Sequence, residues 1–168
     1  MLFRSPVAIR YPKDNIPYLN GDYPSLNEPF VMGKSITLKQ GDSDIVIAAF
    51  GSIVQEAAVA AKVLSMEGIE VTVINARFAK PVDEKIVDAV FEGKILITVE
   101  DHLLACGFGS AVMEAVIARV KSGAAVNGRV INLGCQDEFI NADTREGQLN
   151  LTGIDAEKIV YCVRNLCR

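Results

Sequence analysis

Two short segments in which every residue is apolar constrain the fold most. Ile45-Val46-Ile47 and Ile95-Leu96-Ile97 lie within predicted strands at 44–50 and 94–100. A strand with apolar side chains on both faces needs cover on both faces, as in a parallel sheet between two layers of helices. The sequence therefore predicts an α/β fold, a three-layer α/β/α domain with a mostly parallel sheet.

Helical periods alternate with these strands. One-sided apolar patterns predict helices at 52–67, 83–91 and 108–121 and a closing helix capped by Asp155, and further strands are predicted at 35–39, 70–75 and 129–133. Ser52 and Gln55 have the spacing of a capping box, and Gly68 is expected to end the first helix. This order of elements indicates successive βα units.

Composition and charge narrow the function classes. The 168 residues are 50% hydrophobic, which suits one globular domain, and 17 Lys and Arg against 21 Asp and Glu give a net charge of −4. Such a balance argues against nucleic acid and anionic membrane as partners. The longest apolar runs are far shorter than the roughly 20 residues of a membrane helix. No secretory signal is indicated, so we expect a cytoplasmic protein.

The cysteines do not have the spacing of a metal or redox motif. Cys106, Cys135, Cys162 and Cys167 contain no pair separated by two residues, and we expect all four to be reduced thiols. Cys162 and Cys167 are five residues apart on a predicted helix, so their side chains point in different directions. No metal site is predicted.

The N-terminal region has a different character from the rest. Five of the six prolines fall in the first 29 residues, and the stretch from Pro12 to Gly33 has no sustained apolar period, which predicts an extended surface segment or linker. A predicted strand at 7–11 precedes it without a partner strand before it, and a lone strand is not stable. We therefore expect a domain that belongs to a longer protein.

The turns after the parallel strands are where a ligand would bind. Gly107-Phe108-Gly109 opens a helix, but Val112 replaces the third glycine of a dinucleotide fingerprint. An anion could still bind the free N–H groups of this helix start. Close packing of the helix on the sheet explains the glycines as well, and we favour packing.

The sequence gives weaker evidence for a catalytic or binding role of the other candidate side chains. His102, the only histidine, follows Glu100-Asp101, which could orient its imidazole, with Ser110 and Cys106 as the nearest nucleophiles. We favour a loop histidine or one at a subunit contact, and an inert cysteine at a tight turn. Around the predicted helix start at 83, Arg77 and Asp83 are expected to be structural. Arg10 and Lys13 flank Tyr11-Pro12 and could face a phosphate, although a solvated pair is the simpler interpretation.

Several segments together resemble the C-terminal part of the 1-deoxy-D-xylulose-5-phosphate synthase family. They are residues 6–13 (PVAIRYPK), 73–83 (VINARFAKPVD), 98–101 (TVED), 107–112 (GFGSAV) and 153–157 (GIDAE). The resemblance implies a five-stranded sheet whose first strand is antiparallel. It divides the chain into the last strand of a preceding pyrimidine-binding domain at 1–13, a proline-rich linker at 14–34, and a transketolase C-terminal-like domain at 35–168.

The resemblance also implies a function. These enzymes use thiamine diphosphate and Mg²⁺ to condense pyruvate with glyceraldehyde 3-phosphate, releasing carbon dioxide, for isoprenoid and thiamine biosynthesis. Their cofactor motifs have no counterpart here, so we expect no catalytic, cofactor-binding or metal-binding residue in this chain and no turnover by it alone. Lys13 matches a basic residue that binds the substrate phosphate, usually an arginine. The expected partners are the preceding domains and a second subunit in a homodimer.

The chain also departs from the family pattern. Cys106 replaces the first of two paired glycines, Gly134-Cys135-Gln136-Asp137 replaces Gly-Leu-Pro-Asp, and Asn141-Ala142-Asp143 replaces an acidic, His, Gly run. Two other hypotheses therefore stay open at this point. One is the C-terminal domain of a 2-oxo acid dehydrogenase beta subunit, and the other is a stand-alone ligand-binding regulatory module.

Overall fold

The computed structural model describes residues 6, 8–9 and 23–167. Most of the predicted strand at 7–11 lies outside these residues. The five strands described are β1 (Ile36–Lys39), β2 (Ile45–Phe50), β3 (Thr72–Asn75), β4 (Ile95–Leu103) and β5 (Arg129–Cys135). The α-helices described are α1 (Val54–Met66), α2 (Glu84–Phe91), α3 (Phe108–Lys121), α4 (Arg145–Thr152) and α5 (Ala156–Leu166).

The strands form a single sheet in the order β1-β3-β2-β4-β5. β1 pairs with β3 antiparallel, while β3, β2, β4 and β5 are mutually parallel. The mostly parallel five-stranded sheet with an antiparallel first strand is therefore confirmed.

Helices cover both faces of this sheet. Alternate residues of β2 face opposite sides: Ile45 and Ile47 join an apolar cluster with α1 and α5, whereas Val46 and Ala48 join a second cluster with α2 and α3. Ile47 and Ala48 are both fully buried, as the doubly apolar strands predicted. The three-layer arrangement is confirmed. None of the helices in the described part of the chain is long and apolar enough to cross a bilayer.

Local signals set most helix ends correctly. The Asp83 side chain accepts a hydrogen bond from the Lys85 N–H and begins α2, and the Asp155 side chain accepts one from the Lys158 N–H and begins α5. Gly68 follows α1 with a φ of +80°, a conformation that glycine adopts without strain.

The predicted capping box at Ser52 and Gln55 is wrong. A 3-10 turn (Gly51–Ile53) precedes α1, and the Val54 N–H bonds to the Gly51 and Ser52 carbonyls. This turn leads directly into the helix, whose N-cap residue, Ile53, makes no side-chain capping bond. The Ser52 hydroxyl instead accepts a hydrogen bond from Arg145 Nη2 at 3.4 Å.

The sequence analysis also missed one helix. α4 buries only Leu149, so its apolar period is too weak to detect. Both ends of α4 nevertheless have residues typical of helix ends. The Thr144 side chain accepts a hydrogen bond from the Gly147 N–H, and Gly153 ends the helix with a φ of +74°.

Candidate functional site

The carboxyl edge of the parallel strands is the place where a ligand site is expected. β4 runs to Leu103, three residues beyond its predicted end, so His102 lies in the strand rather than in a loop. The turns that follow β2, β3, β4 and β5 meet at this edge and bring most of the predicted site residues near one another.

The side chain of Glu100, on β4, lies against the N-terminus of α3. Its carboxylate is 1% exposed, and its two oxygens accept hydrogen bonds from the Phe108 N–H at 2.6 Å and the Gly109 N–H at 2.8 Å. The positive end of the helix dipole adds to this stabilisation of a buried charge. The anion-binding position that the glycine-rich turn suggested is therefore filled by the protein's own carboxylate.

Close packing explains the glycines at this edge, as predicted. A Cβ on Gly107 would collide with the Glu100 carboxylate, and a Cβ on Gly109 would lie 2.8 Å from both Asn132 Cγ and Thr98 Oγ1. The Thr98 hydroxyl, fully buried, donates to Asn132 Oδ1 at 2.7 Å beneath the helix. The glycines thus let α3 approach the sheet closely enough for its N–H groups to reach Glu100.

His102, Cys106 and Ser110 line one open cavity of about 320 Å³ together with Lys80 and Glu100. The His102 ring contacts the Leu103 carbonyl through Nδ1 at 3.0 Å, and the Ser110 hydroxyl donates to the Leu104 carbonyl at 2.6 Å. Both of these hydrogen bonds go to the backbone, and neither joins His102 to Ser110.

The two carboxylates before His102 do not orient its imidazole, which corrects the sequence prediction. Glu100 turns inward to α3, and Asp101 forms an ion pair with Arg145 on α4. Arg145 also reaches the Ser52 hydroxyl. Asp101 and Arg145 thus tie the end of β4 to the first turn of α4 and to the turn before α1.

Cys106 has a φ of +60° and an exposed side chain. This left-handed conformation is unfavourable for a residue with a Cβ, which gives a physical reason for the glycine that the family has there. The cysteine at a tight turn is confirmed.

All four cysteines are free, as predicted. Burial raises the pKa of the Cys135 thiol, and burial likewise raises the pKa of the Cys162 thiol. Both thiols are thereby kept in the protonated, unreactive form.

The described residues do not fit the thiamine diphosphate and Mg²⁺ that the family implies. The helix start best suited to a diphosphate holds Glu100. Within residues 6, 8–9 and 23–167, no three His, Cys, Asp or Glu side chains are grouped so that they could hold a metal ion.

Asp83 and Arg77 have structural contacts, as predicted. The buried Asp83 carboxylate accepts from the Ser35 N–H at 2.7 Å and the Ser35 hydroxyl at 2.9 Å. Burial raises its pKa, but the hydrogen bonds from Ser35 and Lys85 and the charge of Lys34 together outweigh burial, so the net pKa of Asp83 is lowered. The Arg77 guanidinium contacts backbone carbonyls before β1.

The two candidate phosphate contacts, Arg10 and Lys13, lie outside the described residues. Their role therefore stays a prediction from the sequence.

The mixed five-stranded sheet between two layers of helices places the chain in the α/β class of domains. The family model described as "Transketolase, C-terminal domain" matches residues 33–159, and the chain belongs to this family.

Within the family, the chain is homologous to the C-terminal regions of 1-deoxy-D-xylulose-5-phosphate synthases. It is 40% identical over 157 residues to the synthase of Thermomicrobium roseum, covering 92% of this chain and 23% of that protein. It is 42% identical over 164 residues to the synthase of Aquifex aeolicus, covering 95% of this chain and 24% of that protein. The resemblance seen in the sequence is confirmed, and the chain spans about a quarter of the length of these relatives.

Solved structures support the same family. A split gene transketolase, described as an inactive beta4 tetramer, matches with a TM-score of 0.70 and 30% identity over 83% of this chain and 44% of that chain. A transketolase mutant from Pichia stipitis matches with a TM-score of 0.52 over 79% of this chain and 18% of that chain. At 21% identity, the second comparison shows the fold alone.

Proposed function

We propose that this chain supplies the C-terminal domain of a 1-deoxy-D-xylulose-5-phosphate synthase, a transferase that condenses pyruvate with glyceraldehyde 3-phosphate and releases carbon dioxide. The observation that carries the proposal is 34–42% identity to synthases of this name over 92–96% of the chain. The 2-oxo acid dehydrogenase and regulatory-module hypotheses have no comparable support.

The domain's own contribution is to complete the enzyme rather than to carry its chemistry. Thiamine diphosphate supplies the reactive carbanion in enzymes that use it. Since the described residues of this chain do not fit the cofactor, we propose that the other three quarters of the enzyme bind both thiamine diphosphate and Mg²⁺. The present domain then closes the substrate side of that site and contributes to contacts between subunits of a homodimer.

Lys13 is the one residue of this chain that we propose contacts substrate. It follows Tyr11-Pro12, where the family usually has an arginine that binds the phosphate of the aldehyde. An ammonium group retains the charge but loses the bidentate geometry of a guanidinium. We therefore expect Lys13→Arg to retain or improve the affinity for glyceraldehyde 3-phosphate and Lys13→Ala to weaken it.

We place the assembled enzyme in the cytoplasm. The four free cysteines support a reducing compartment, since disulfides are rare there.

A chimera tests the proposed function. This chain replaces the matching C-terminal region of the Aquifex aeolicus synthase, and carbon dioxide release is measured with pyruvate and glyceraldehyde 3-phosphate. We expect the chimera to be active, and the same synthase cut before that region to be inactive. A chimera that folds and binds thiamine diphosphate but does not turn over would contradict the proposal.

A second candidate is a separate subunit of a split enzyme. The observation that favours it is the match to a split gene transketolase at 30% identity. Sequencing the gene upstream of the Met1 codon separates the two candidates. A reading frame that continues into a thiamine diphosphate motif supports the single-chain synthase, and a stop codon directly before Met1 supports the split arrangement.

A further inference from the structure

The loop between β3 and α2, residues 76–83, holds the polypeptide that leads into the domain. We name residues 26–35 the strap. The Arg77 side chain extends from the end of β3 to the strap, where Nη1 donates to the Pro29 carbonyl at 3.1 Å and Nη2 donates to the Glu28 carbonyl at 2.9 Å and the Leu26 carbonyl at 3.4 Å. One guanidinium thus binds three carbonyls within four residues.

Aromatic contacts support the same attachment. The Arg77 guanidinium carbon lies 4.4 Å from the centroid of the Phe30 ring, and this ring meets the edge of the Phe78 ring at 6.3 Å. A cation over an aromatic face adds an attraction to the hydrogen bonds. Arg77 therefore contacts both the backbone and a side chain of the strap.

The other end of the strap is held by Asp83. Its carboxylate accepts the two hydrogen bonds from Ser35 described above and lies 3.5 Å from Lys34 Nζ. Gly33 fits closely against Pro81, since a Cβ on this glycine would lie 2.7 Å from Pro81 Cγ. The loop therefore contacts the strap along most of its length.

The middle of the strap is exposed. Its backbone bonds are local, such as Glu28 N–H to Ser25 carbonyl and Lys34 N–H to Val31 carbonyl. Phe30, Val31 and Met32 are 75%, 57% and 79% exposed, so their burial does not hold the segment. The contacts with the loop, and the 3-10 turn (Pro24–Asn27) that lies against β1, therefore hold the strap.

The backbone at Arg77 indicates that its side chain is needed there. Its φ is +56°, in the left-handed region that glycine adopts without strain. An arginine at such a position is a local cost that other interactions must offset. Its Nε–H is also buried and has no acceptor among the described residues.

We propose that Arg77 is a positioning residue that fixes the path of the strap and thereby the direction in which the chain enters the domain. This proposal rests on the contacts of the described residues alone and is independent of the proposed function.

Amide hydrogen exchange on the whole chain tests the fixing of the strap. Arg77→Gln removes the guanidinium group, and Arg77→Lys keeps the positive charge. Arg164→Gln is the matched control. Arg164 on α5 makes a bidentate ion pair with Glu67, the residue that follows α1. We expect exchange at residues 26–35 to rise at least tenfold in Arg77→Gln and to rise less in Arg77→Lys. Peptides from β2 and α1 should be unchanged.

Two results would overturn this proposal. One is unchanged exchange of the strap in Arg77→Gln. The other is an equal rise in all peptides, which would report a general loss of stability. Arg164→Gln should leave the strap unchanged, and a strap that opens equally in this control would also contradict a specific role of Arg77.

Discussion

The Glu100 carboxylate decides what the glycine-rich turn before α3 can bind. A buried carboxylate is costly unless its charge is compensated, and here two backbone N–H groups and a helix start compensate it. The same N–H groups would otherwise be available to a phosphate. The glutamate therefore converts a ligand-binding geometry into an internal structural contact.

Glu100→Ala should lower the free energy of unfolding by about 2–4 kcal/mol, because it leaves a cavity and two buried donors without an acceptor. Added formate should partly restore the melting temperature of this variant by occupying the empty position, while equal chloride should not. Thermal unfolding of both proteins with each salt measures the effect. Glu114→Ala, at an exposed position of α3, is the control and should change little. A formate effect of equal size in the parent protein would contradict the explanation.

Gly109 and Gly147 form a matched pair for the packing argument. Both lie in the first turn of a helix, but a Cβ at Gly109 meets buried Asn132 and Thr98, whereas at Gly147 it meets the exposed, movable Asp143 side chain. We expect Gly109→Ala to destabilise the protein by about 1–3 kcal/mol. Gly147→Ala should be neutral or stabilising by up to about 1 kcal/mol, because alanine favours helices. Urea unfolding compares the two, and equal effects would refute close packing at Gly109.

The sequence predicted the packing role of Gly107 and Gly109 but not the role of Glu100. The glycines are adjacent to the helix that they serve, so a local pattern was sufficient. Glu100 lies eight residues before the N–H group of Phe108, and its contact depends on how β4 and α3 lie side by side. The sequence pattern that could have indicated this contact is a carboxylate at the end of a strand followed by a glycine-rich helix start.

At the scale of elements, the side-chain caps of α2 and α5 were predictable, whereas the start of α1 and the whole of α4 were not. Capping by Asp83 and Asp155 depends only on residues close in sequence, and both side chains begin their helices as expected. The start of α1 depends on a 3-10 turn, and α4 depends on a single buried leucine. Such features are set by tertiary packing, which short-range patterns do not contain.

Asp83→Asn should destabilise the protein by about 1–3 kcal/mol at pH 7, because the charged acceptor for Ser35 and Lys34 is lost. The folded pKa of Asp83 is lowered, so its contribution is present above the unfolded pKa of about 4 and is lost as the pH falls through the folded pKa. The difference between parent and variant should therefore shrink on acidification below about pH 4.

Urea unfolding between pH 7 and pH 3 measures this difference. Asp155→Asn is the control, since Asp155 also begins a helix but is less buried and accepts its other side-chain hydrogen bond from the neutral Asn150 amide. A difference between parent and Asp83→Asn that stays constant over this range would show that the charge of Asp83 is not responsible.

At the scale of the molecule, the layers followed from local pattern and the strand order did not. Apolar residues on both faces of β2 and β4 required helices on both sides, which the two apolar clusters confirm. The antiparallel direction of β1 came from family resemblance, because a four-residue edge strand has no pattern that reveals its direction. The predicted substrate contact, Lys13, lies within residues 1–22, and its binding of the phosphate stays a prediction.

The chain alone should not bind thiamine diphosphate. Calorimetric titration with the cofactor and Mg²⁺ should give no saturable heat, because Glu100 fills the best anion position and the described residues offer no metal cluster. The chimera with the Aquifex aeolicus synthase should give a saturable signal under the same conditions. Saturable binding by the chain alone would place cofactor-binding groups among residues that we have not assigned to it.

The attachment of the strap has a practical consequence for anyone who subclones this domain. The family match begins at residue 33, so a shortened gene designed from it would start at that residue. Such a fragment would discard Tyr23, which is 8% exposed and has Lys62 Nζ 5.9 Å from its ring centroid. It would also discard all three carbonyls that Arg77 binds. We therefore expect a fragment that begins at or before Tyr23, about ten residues upstream of the family match, to be more stable than one that begins at residue 33.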